Sequence, residues 1–227
     1  WGDIPADQPM GNKDAYPLKY AEMTIQSRDG RILEAGCGAG RVLRYYKNKN
    51  YPITGMDFIE GVVRKLKEID PELNVEVGDI TRLKYPNESF RYVLAFGLYH
   101  NLEHGLEQAL KETFRVLESG GTVCASFRAD NIQTRLNDWL EEYRAKKKKP
   151  RTAGKEFHKL NLTRSECIAL FKRAGFIIKS IQRAENMPIL YKFAFFRSKA
   201  HKRFDENKAR KEGYQLSALG RCITSWL

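Results

Sequence analysis

The chain has 227 residues, of which 42% are hydrophobic, and its 40 Lys and Arg against 28 Asp and Glu give a formal net charge of +12. This length and composition suit one domain with a full core and some additions. No apolar run reaches the roughly 18 residues that a spanning helix needs and no cleavable leader is visible, so we expect a cytoplasmic protein without transmembrane helices.

The four cysteines are scattered without CxxC spacing, which argues against both a metal site and a disulfide framework. They are Cys37, Cys124, Cys167 and Cys222. Cys37 lies within a glycine-rich turn, where we interpret it as a packing residue and not as a nucleophile.

The segment Ile32 to Leu43, ILEAGCGAGRVL, predicts a strand, a glycine turn and the start of a helix. Glycines at positions 36, 38 and 40 (Gly36, Gly38 and Gly40) let the backbone contact a ligand where a Cβ would collide. They also leave helix N–H groups free to face that ligand. We therefore expect a nucleotide-like molecule on this turn.

The glycine spacing distinguishes between two kinds of nucleotide site. The dinucleotide-binding fingerprint needs a third glycine three residues after the second, where this chain has Arg41. The pattern is instead GxGxG preceded by Glu34, which resembles the class I S-adenosylmethionine (SAM)-dependent methyltransferases. Glycine-rich turns are also ordinary structural elements, so the acidic residues that follow carry part of the argument.

The second predicted strand, Tyr51 to Met56, ends at Asp57. A carboxylate accepts two hydrogen bonds at once and therefore suits the vicinal hydroxyls of a ribose, each bond contributing on the order of 1.5–3 kcal/mol. Phe58 follows directly, and we expect its ring to pack on the base.

The third predicted strand begins near Asn74 and ends in Asp79 and Ile80. We expect Asp79 to accept a hydrogen bond from the adenine amino group, and Ile80 and Phe58 to hold the adenine ring between them. The alternative for Asp79 is a structural one, since Asp is a common helix N-cap and turn residue.

The fourth and fifth predicted strands are Tyr92 to Gly97 and Gly121 to Phe127. Strands that alternate with helices favour a parallel sheet that binds its ligand at the carboxyl ends of the strands. We assign Phe96, at the end of the fourth strand, to the cofactor site. His100 follows that strand and is our candidate general base, because histidine titrates near neutral pH. The alternative is that His100 caps or packs the following helix.

Residues Ile32 to Phe127 together resemble the SAM-binding core of a class I methyltransferase, and the turn RVLESGG, Arg115 to Gly121, is similar to the family's RVLKPGG. The resemblance implies that Glu34 helps to hold the methionine end of SAM, that Asp57 holds the ribose and that Asp79 faces adenine. It also implies methyl transfer by in-line displacement, with S-adenosylhomocysteine as product.

The resemblance further implies that the segment before the first strand, residues 1–28, covers the cofactor. Tyr16 and Tyr20 are the candidates for that cover, and the alternative is that they anchor a helix on the sheet edge. The family's Asn-Pro-Pro-Tyr type motif after the fourth strand is absent, since the chain has FGLYHN from Phe96 to Asn101. This excludes the N6-adenine and glutamine methyltransferases.

The C-terminal part departs from the family pattern. A sixth strand-like run is visible at Phe176 to Ala184, but no seventh strand follows it. The chain continues through Met187 to Phe204, where large apolar residues stand beside cations, and ends in a predicted helix within Tyr214 to Leu227. The segment 187–204 predicts either a peripheral membrane contact or lid, or a helix packed on its own domain.

The charge is distributed unevenly, because residues 1–140 carry 18 Lys and Arg against 20 Asp and Glu, whereas residues 141–227 carry 22 against 8. Such a basic half attracts phosphates of RNA, of a membrane surface or of a substrate. Charged runs such as Lys146 to Lys149 are often simply solvated helix ends. Aromatic residues interleaved with basic ones, which are typical of RNA recognition, are not evident.

We therefore predict an α/β fold with a single doubly wound, mostly parallel sheet of about seven strands and helices on both faces. Residues 1–28 would be the cofactor-covering segment, 29–130 the SAM-binding core, and 131–227 the basic, substrate-side part of the same domain. The predicted function is methyl transfer from SAM to a small-molecule acceptor, amphiphilic or anionic. An RNA-modifying methyltransferase and a non-catalytic SAM-binding partner or sensor protein are the alternatives.

Overall fold

The computed structural model describes residues 13, 16–148, 159–184, 189–205, 212 and 214–226. Most of the region before residue 16, the end of the basic run at 149–151, and Met187 with Pro188 lie outside the described residues. The chain divides into two compact units, the first comprising residues 1–128 with 158–181 and the second comprising residues 129–157 with 182–227. The division at residues 28 and 130 stays a prediction.

The first unit contains a five-stranded parallel sheet in the order β3-β2-β1-β4-β5. Its strands are β1 (Ile32–Ala35), β2 (Ile53–Asp57), β3 (Val75–Val77), β4 (Phe90–Ala95) and β5 (Leu117–Ala125). Ile32 pairs with Ile53 on one side and with Tyr92 on the other, so the strand order reverses on either side of β1. Open parallel sheets bind ligands at the carboxyl edge beside such a reversal.

The described helices are α1 (Leu18–Thr24), α2 (Arg41–Lys47), α3 (Glu60–Ile69), α4 (Leu106–Val116), α5 (Ile132–Lys148), α6 (Arg164–Arg173) and α7 (Ala218–Trp226). The last of these confirms the predicted C-terminal helix. At the start of α6, the hydroxyl of Thr163 and the carboxylate of Glu166 form a capping box, which satisfies backbone N–H groups that a helix end leaves open.

The sheet is covered on both faces, as predicted. Successive residues of a strand point to opposite faces, and Ile32 accordingly packs in one buried cluster while Leu33 packs in another. The first cluster draws on α1, α2 and α3, and the second draws on α4 and α6. Strands that are apolar on both faces in this way are typical of parallel sheets between two helix layers.

The strand count is lower than expected. Residues 176–184 form no strand, although Lys179 Nζ lies 3.2 Å from the hydroxyl oxygen of Thr122 on β5. The segment therefore passes beside the sheet without a backbone ladder. Phe176 is buried in the second cluster while Ile177 is exposed, so apolar content alone misled the prediction of a sixth strand here.

A bulge in β5 explains the RVLESGG turn. Phe90 pairs with Leu117, but Tyr92 pairs with Thr122, so the intervening residues of β5 have no partner on β4. Gly120 within this bulge has φ +72°, a conformation that favours glycine. Two further short strands, β6 (Arg128–Ala129) and β7 (Asn161–Leu162), form a separate two-stranded sheet.

The described part of the predicted membrane or lid segment is not one helix. It consists of three 3-10 turns, Ile189–Lys192, Ala194–Phe196 and Lys199–His201, in the second unit. The hydroxyl of Tyr191 and Nδ1 of His201 lie 2.7 Å apart and are both buried. In the part of the chain that the structure describes, no helix is long and apolar enough to cross a membrane.

Candidate functional site

The glycine turn joins β1 to α2 and is fixed to the neighbouring strand. The N–H groups of Gly36 and Cys37 both donate to the carbonyl oxygen of Met56 on β2, at 2.8 and 3.0 Å. Burial raises the pKa of the Cys37 thiol well above its usual value, so the thiol stays protonated and fills space. This agrees with the packing role expected from the sequence.

The three glycines of the motif have different surroundings. A Cβ at Gly40 would lie 2.8 Å from Leu66 of α3, so this glycine permits two helices to approach. A Cβ at Gly36 would lie 3.0 Å from Leu98. A Cβ at Gly38 would meet nothing within 4 Å, and its φ is +50°. Gly38 is thus the position where the turn faces open space.

Asp57 ends β2 beside this open position and is 9% exposed. Its Oδ2 accepts a hydrogen bond from the N–H of Gly38 at 2.8 Å, and its Oδ1 accepts one from the N–H of Ile59 at 3.0 Å. Each carboxylate oxygen has a second lone pair, so both can still accept a hydroxyl donor. The carboxylate therefore positions the turn as well as offering a diol-binding edge.

Glu34 lies on β1 two residues before the turn and is 5% exposed. Its Oε2 is buried and has no hydrogen-bond partner among the described residues. Burial raises the pKa of the Glu34 carboxyl to about 8, against the opposing effects of the Leu43 backbone and the Arg41 charge. A buried acceptor without a donor is costly, and a bound cation or N–H donor would satisfy it.

Phe58 and Asp79 lie close to Asp57, because the N–H of Gly78 donates to the carbonyl oxygen of Asp57 at 3.0 Å. The Phe58 side chain is 73% exposed. Oδ1 of Asp79 accepts both the N–H and the hydroxyl of Thr81 at 2.8 Å, which is the turn role considered from the sequence. Asp79 is itself exposed, so a ligand can also reach it.

Ile80 is 3% exposed and packs in the second buried cluster. It has little surface left for a ligand, whereas the ring of Phe58 is open. Of the pair expected to enclose adenine, Phe58 is therefore the side chain that the structure presents.

Phe96 lies at the end of β4 under the N-terminal segment. The ring of Tyr16 meets it edge to face at 5.8 Å between centroids. The Tyr16 hydroxyl lies 2.8 Å from Oγ of Ser126, and that Oγ accepts the N–H of Gly97 at 2.8 Å. Tyr16 is thus held over the carboxyl ends of β4 and β5, where a cofactor-covering residue would have to be.

His100 lies in the 3-10 turn Tyr99–Asn101 that follows β4. Its Nδ1 is buried and has no partner among the described residues. Burial, with the charges of Lys159 and Arg128, lowers the pKa of His100 to about 4. The imidazole is therefore neutral at pH 7, and it is a weaker base than the near-neutral titration expected from the sequence would make it.

The sequence argument did not single out Ser126, Arg128 or Lys159. Ser126 directly follows β5 and so stands at the same edge of the sheet as the other site residues, a signal that the sequence did contain. Lys159 is far from His100 in the chain and stands at no predicted strand end. Only the fold brings the two residues together.

The residues present fit SAM, on two observations. Oε2 of Glu34 is a buried acceptor without a donor, which suits the ammonium group at the methionine end. Gly38 leaves open space beside a carboxylate that has capacity for two hydroxyl groups. The geometry thus places the predicted residues Glu34, Gly38 and Asp57 in one site.

Comparison with known proteins supports this assignment. Residues 33–125 match the methyltransferase domain family. The phosphatidylethanolamine N-methyltransferase of Cereibacter sphaeroides is 28% identical over 123 residues, which cover 52% of this chain and 60% of that protein. The malonyl-(acyl-carrier protein) O-methyltransferase of Pseudescherichia vulneris is 30% identical over 99 residues, which cover 43% of this chain and 39% of that protein.

The fold has the same kinship. A crystal structure of a SAM-dependent methyltransferase from Methanosarcina mazei superimposes with a TM-score of 0.62 at 22% identity, covering 77% of this chain and 91% of that one. The chain spans less than two thirds of the length of the curated relatives described above. The shared part contains the glycine turn, Asp57 and Asp79. The chain belongs to the class I SAM-dependent methyltransferase superfamily, whose cofactor is SAM.

Proposed function

We propose that this protein transfers the methyl group of SAM to a small-molecule acceptor. The observation that carries the proposal is the unpaired, buried carboxylate oxygen of Glu34, two residues before a glycine turn that is open at Gly38. A purely structural turn has no need of a buried acceptor without a donor. A cofactor with a cationic end supplies that donor.

The proposal gives each residue of the cofactor site a task. Glu34 holds the ammonium group of SAM, and Asp57 accepts hydrogen bonds from the ribose hydroxyls. Phe58 covers the adenine ring, and Asp79 accepts from its amino group. Bound SAM supplies a methyl group on a positively charged sulfur, which is transferred to a nucleophilic atom of the acceptor with S-adenosylhomocysteine as product. Tyr16 and Phe96 exclude water from the approach, so alignment and desolvation supply much of the acceleration.

His100 is the proposed base for an acceptor that must lose a proton. Its neutral imidazole would take the proton of a hydroxyl or an acidic carbon at Nδ1 as the acceptor attacks. An amine acceptor that is already neutral would not need this step. A base with a pKa of about 4 is weak, so the proposal requires that a bound acceptor raise the basicity of the imidazole.

The relatives support a small-molecule acceptor but do not identify it. The names of the two curated relatives specify phosphatidylethanolamine and a malonyl group on acyl-carrier protein. One is a lipid and the other carries a carboxylate. An amphiphilic or anionic acceptor is thus the form of the proposal that the relatives and the basic half of the chain favour together.

The test is calorimetric binding of SAM and S-adenosylhomocysteine, followed by transfer of a radiolabelled methyl group to a panel of acceptors. We expect dissociation constants in the micromolar range for both ligands and no binding of NAD. The panel should contain carboxylates, phosphate esters and neutral analogues of each. Absence of binding would refute the proposal, whereas tight binding without turnover on any acceptor would favour a non-catalytic SAM-binding protein.

A cytoplasmic location with peripheral contact to membranes is a further part of the proposal. Phe195 in the second unit is 76% exposed, and Phe193 is also exposed, in a region rich in Lys and Arg. Aromatic side chains beside cations suit the surface of an anionic bilayer. Co-sedimentation with vesicles containing phosphatidylserine, compared with neutral vesicles, tests this. We expect binding to the anionic vesicles that weakens in the Phe195→Ala variant, and equal recovery with both vesicle types would contradict it.

A further inference from the structure

His100, Arg128 and Lys159 are brought together in the first unit by the segment that contains β7. The N–H of Leu160 donates to the carbonyl oxygen of His100 at 2.8 Å. One residue further on, the amide oxygen of Asn161 accepts Nη1 of Arg128 at 3.2 Å. The chain from Lys159 to Asn161 is thus hydrogen-bonded both to the turn after β4 and to the residue that begins β6.

The charge in this cluster is uncompensated. The charged groups that act on the His100 ring are Lys159 and Arg128, both cations, and no carboxylate of the described residues acts on it. Lys159 is exposed and makes no ion pair within the described part of the chain. Proteins normally place a carboxylate between cations that lie this close, because the repulsion is otherwise unrelieved.

The cluster also contains an unsatisfied acceptor. Nδ1 of His100 is buried and has no partner among the described residues. Protonation would turn this nitrogen into a donor, but the two cations oppose protonation. A bound anion would relieve the repulsion between the cations and would accept a hydrogen bond from the protonated imidazole.

We propose that Arg128 and Lys159, together with His100, form a binding site for an anionic group, a carboxylate or a phosphate, carried by the acceptor. This inference rests on the proposed function for the identity of the occupant. It identifies the acceptor as an anion and excludes a neutral small molecule. The anion then has two roles, since it fixes the acceptor next to the base and raises the basicity of that base.

The second role follows from the sign of the interaction. The cations lower the pKa of the His100 imidazole to about 4, and an adjacent negative charge shifts it in the opposite direction. The base is therefore weak in the free protein and becomes stronger only when the correct acceptor is bound. Neutral analogues of the acceptor would bind weakly and would also leave the base weak.

The experiment uses the full chain with isotopically labelled histidine and follows the His100 ring resonances by NMR from pH 3 to 8. The probes are malonate, inorganic phosphate and, as an uncharged match for malonate, dimethyl malonate, all at constant ionic strength. We expect saturating malonate or phosphate to raise the His100 midpoint by at least about one pH unit. Dimethyl malonate should leave it unchanged, and the more effective of the two anions indicates which group the acceptor carries.

Two variants control the interpretation. Lys159→Gln should weaken the binding of the effective anion about tenfold, because one charge-assisted contact is lost. Lys111→Gln removes an exposed lysine from α4 and should leave the affinity unchanged. Arg128→Lys keeps the charge and should retain part of the affinity. A His100 midpoint that does not respond to either anion, or equal affinities in the Lys159 and Lys111 variants, would overturn the inference.

Binding of S-adenosylhomocysteine is measured on the same samples. If that ligand binds and the anions do not, the anion site is refuted while the proposed methyltransferase function stands. If the anions bind in the expected manner and S-adenosylhomocysteine does not, the proposed function fails and the cationic cluster serves another reaction.

Discussion

The carboxylate of Asp57 accepts the N–H of Gly38 at 2.8 Å, so the acid at the end of β2 holds the glycine turn at the end of β1. The same side chain accepts the N–H of Ile59 at 3.0 Å. The residue that sequence reasoning assigned to the ribose therefore also organises the loop on which the cofactor would lie. Substitutions at Asp57 consequently change both the stability of the turn and the affinity for the cofactor.

Asp57→Ala should lower both the melting temperature and the affinity for S-adenosylhomocysteine. Each charge-assisted hydrogen bond is worth on the order of 1.5–3 kcal/mol, so we expect affinity to fall by roughly tenfold to a hundredfold or more. Asp57→Asn keeps one carbonyl acceptor for the turn and should lose less stability than the Ala variant. Calorimetry and thermal unfolding measure the two effects. A lower melting temperature with unchanged affinity would leave Asp57 a structural role alone.

Binding of SAM should release a proton, because Glu34 is mostly protonated at pH 7 in the free protein. Its pKa is raised to about 8 by burial, and a bound ammonium group lowers that pKa again. Affinity should therefore increase by up to about tenfold per pH unit between pH 6 and 8 and level off above pH 8. The heat of binding should differ between phosphate and Tris buffers, which absorb the released proton with different enthalpies.

Glu34→Gln is the control for this linkage, since it cannot titrate. Its affinity should be lower than that of the wild type at pH 8 and independent of pH. The folded-state pKa of Glu34 lies above its ordinary value of 4.5, so the wild type should lose stability as the pH rises from about 4.5 to 8. The variant should lose less over that range. Equal heats of binding in the two buffers would contradict the assignment of Glu34 to the cationic end of SAM.

Phe58→Ala should weaken cofactor binding without destabilising the fold. The side chain is 73% exposed, so its removal leaves no cavity. Stacking of a base on an aromatic ring is worth about 1–3 kcal/mol, and we expect the affinity for S-adenosylhomocysteine to fall about tenfold. Phe195→Ala removes a comparably exposed ring in the second unit and is the matched control. If both variants bind equally well, Phe58 does not contact the base.

The glycines at 38 and 40 should differ in what an added methyl group does. Both have φ in the left-handed region, so Ala has a similar backbone cost of roughly 1–2 kcal/mol at either position. Gly40→Ala also collides with Leu66 and should lose about 1–3 kcal/mol more in the free energy of unfolding. Gly38→Ala collides with nothing and should mainly lose affinity. Wild-type affinity in the Gly38 variant would mean that the ligand does not approach this position.

The sequence by itself determined the class of fold and the cofactor edge. The spacing of Gly36, Gly38 and Gly40, and the carboxylates that end two predicted strands, can be read locally, because they depend on turn geometry and on the alternation of strands and helices. In the structure these residues meet at the carboxyl edge of a parallel sheet, since parallel strands end on the same side. The burial of β1 on both faces follows from its continuous apolar run.

The tertiary structure decided what depends on distant neighbours. Apolar content at residues 176–184 predicted a strand, but a strand exists only where a partner pairs its backbone, and here the segment passes β5 without doing so. The weak basicity of His100 likewise arises from burial and from two cations, one of them remote in the chain. A pKa depends on the dielectric surroundings and on charges in space, and the fold alone sets both.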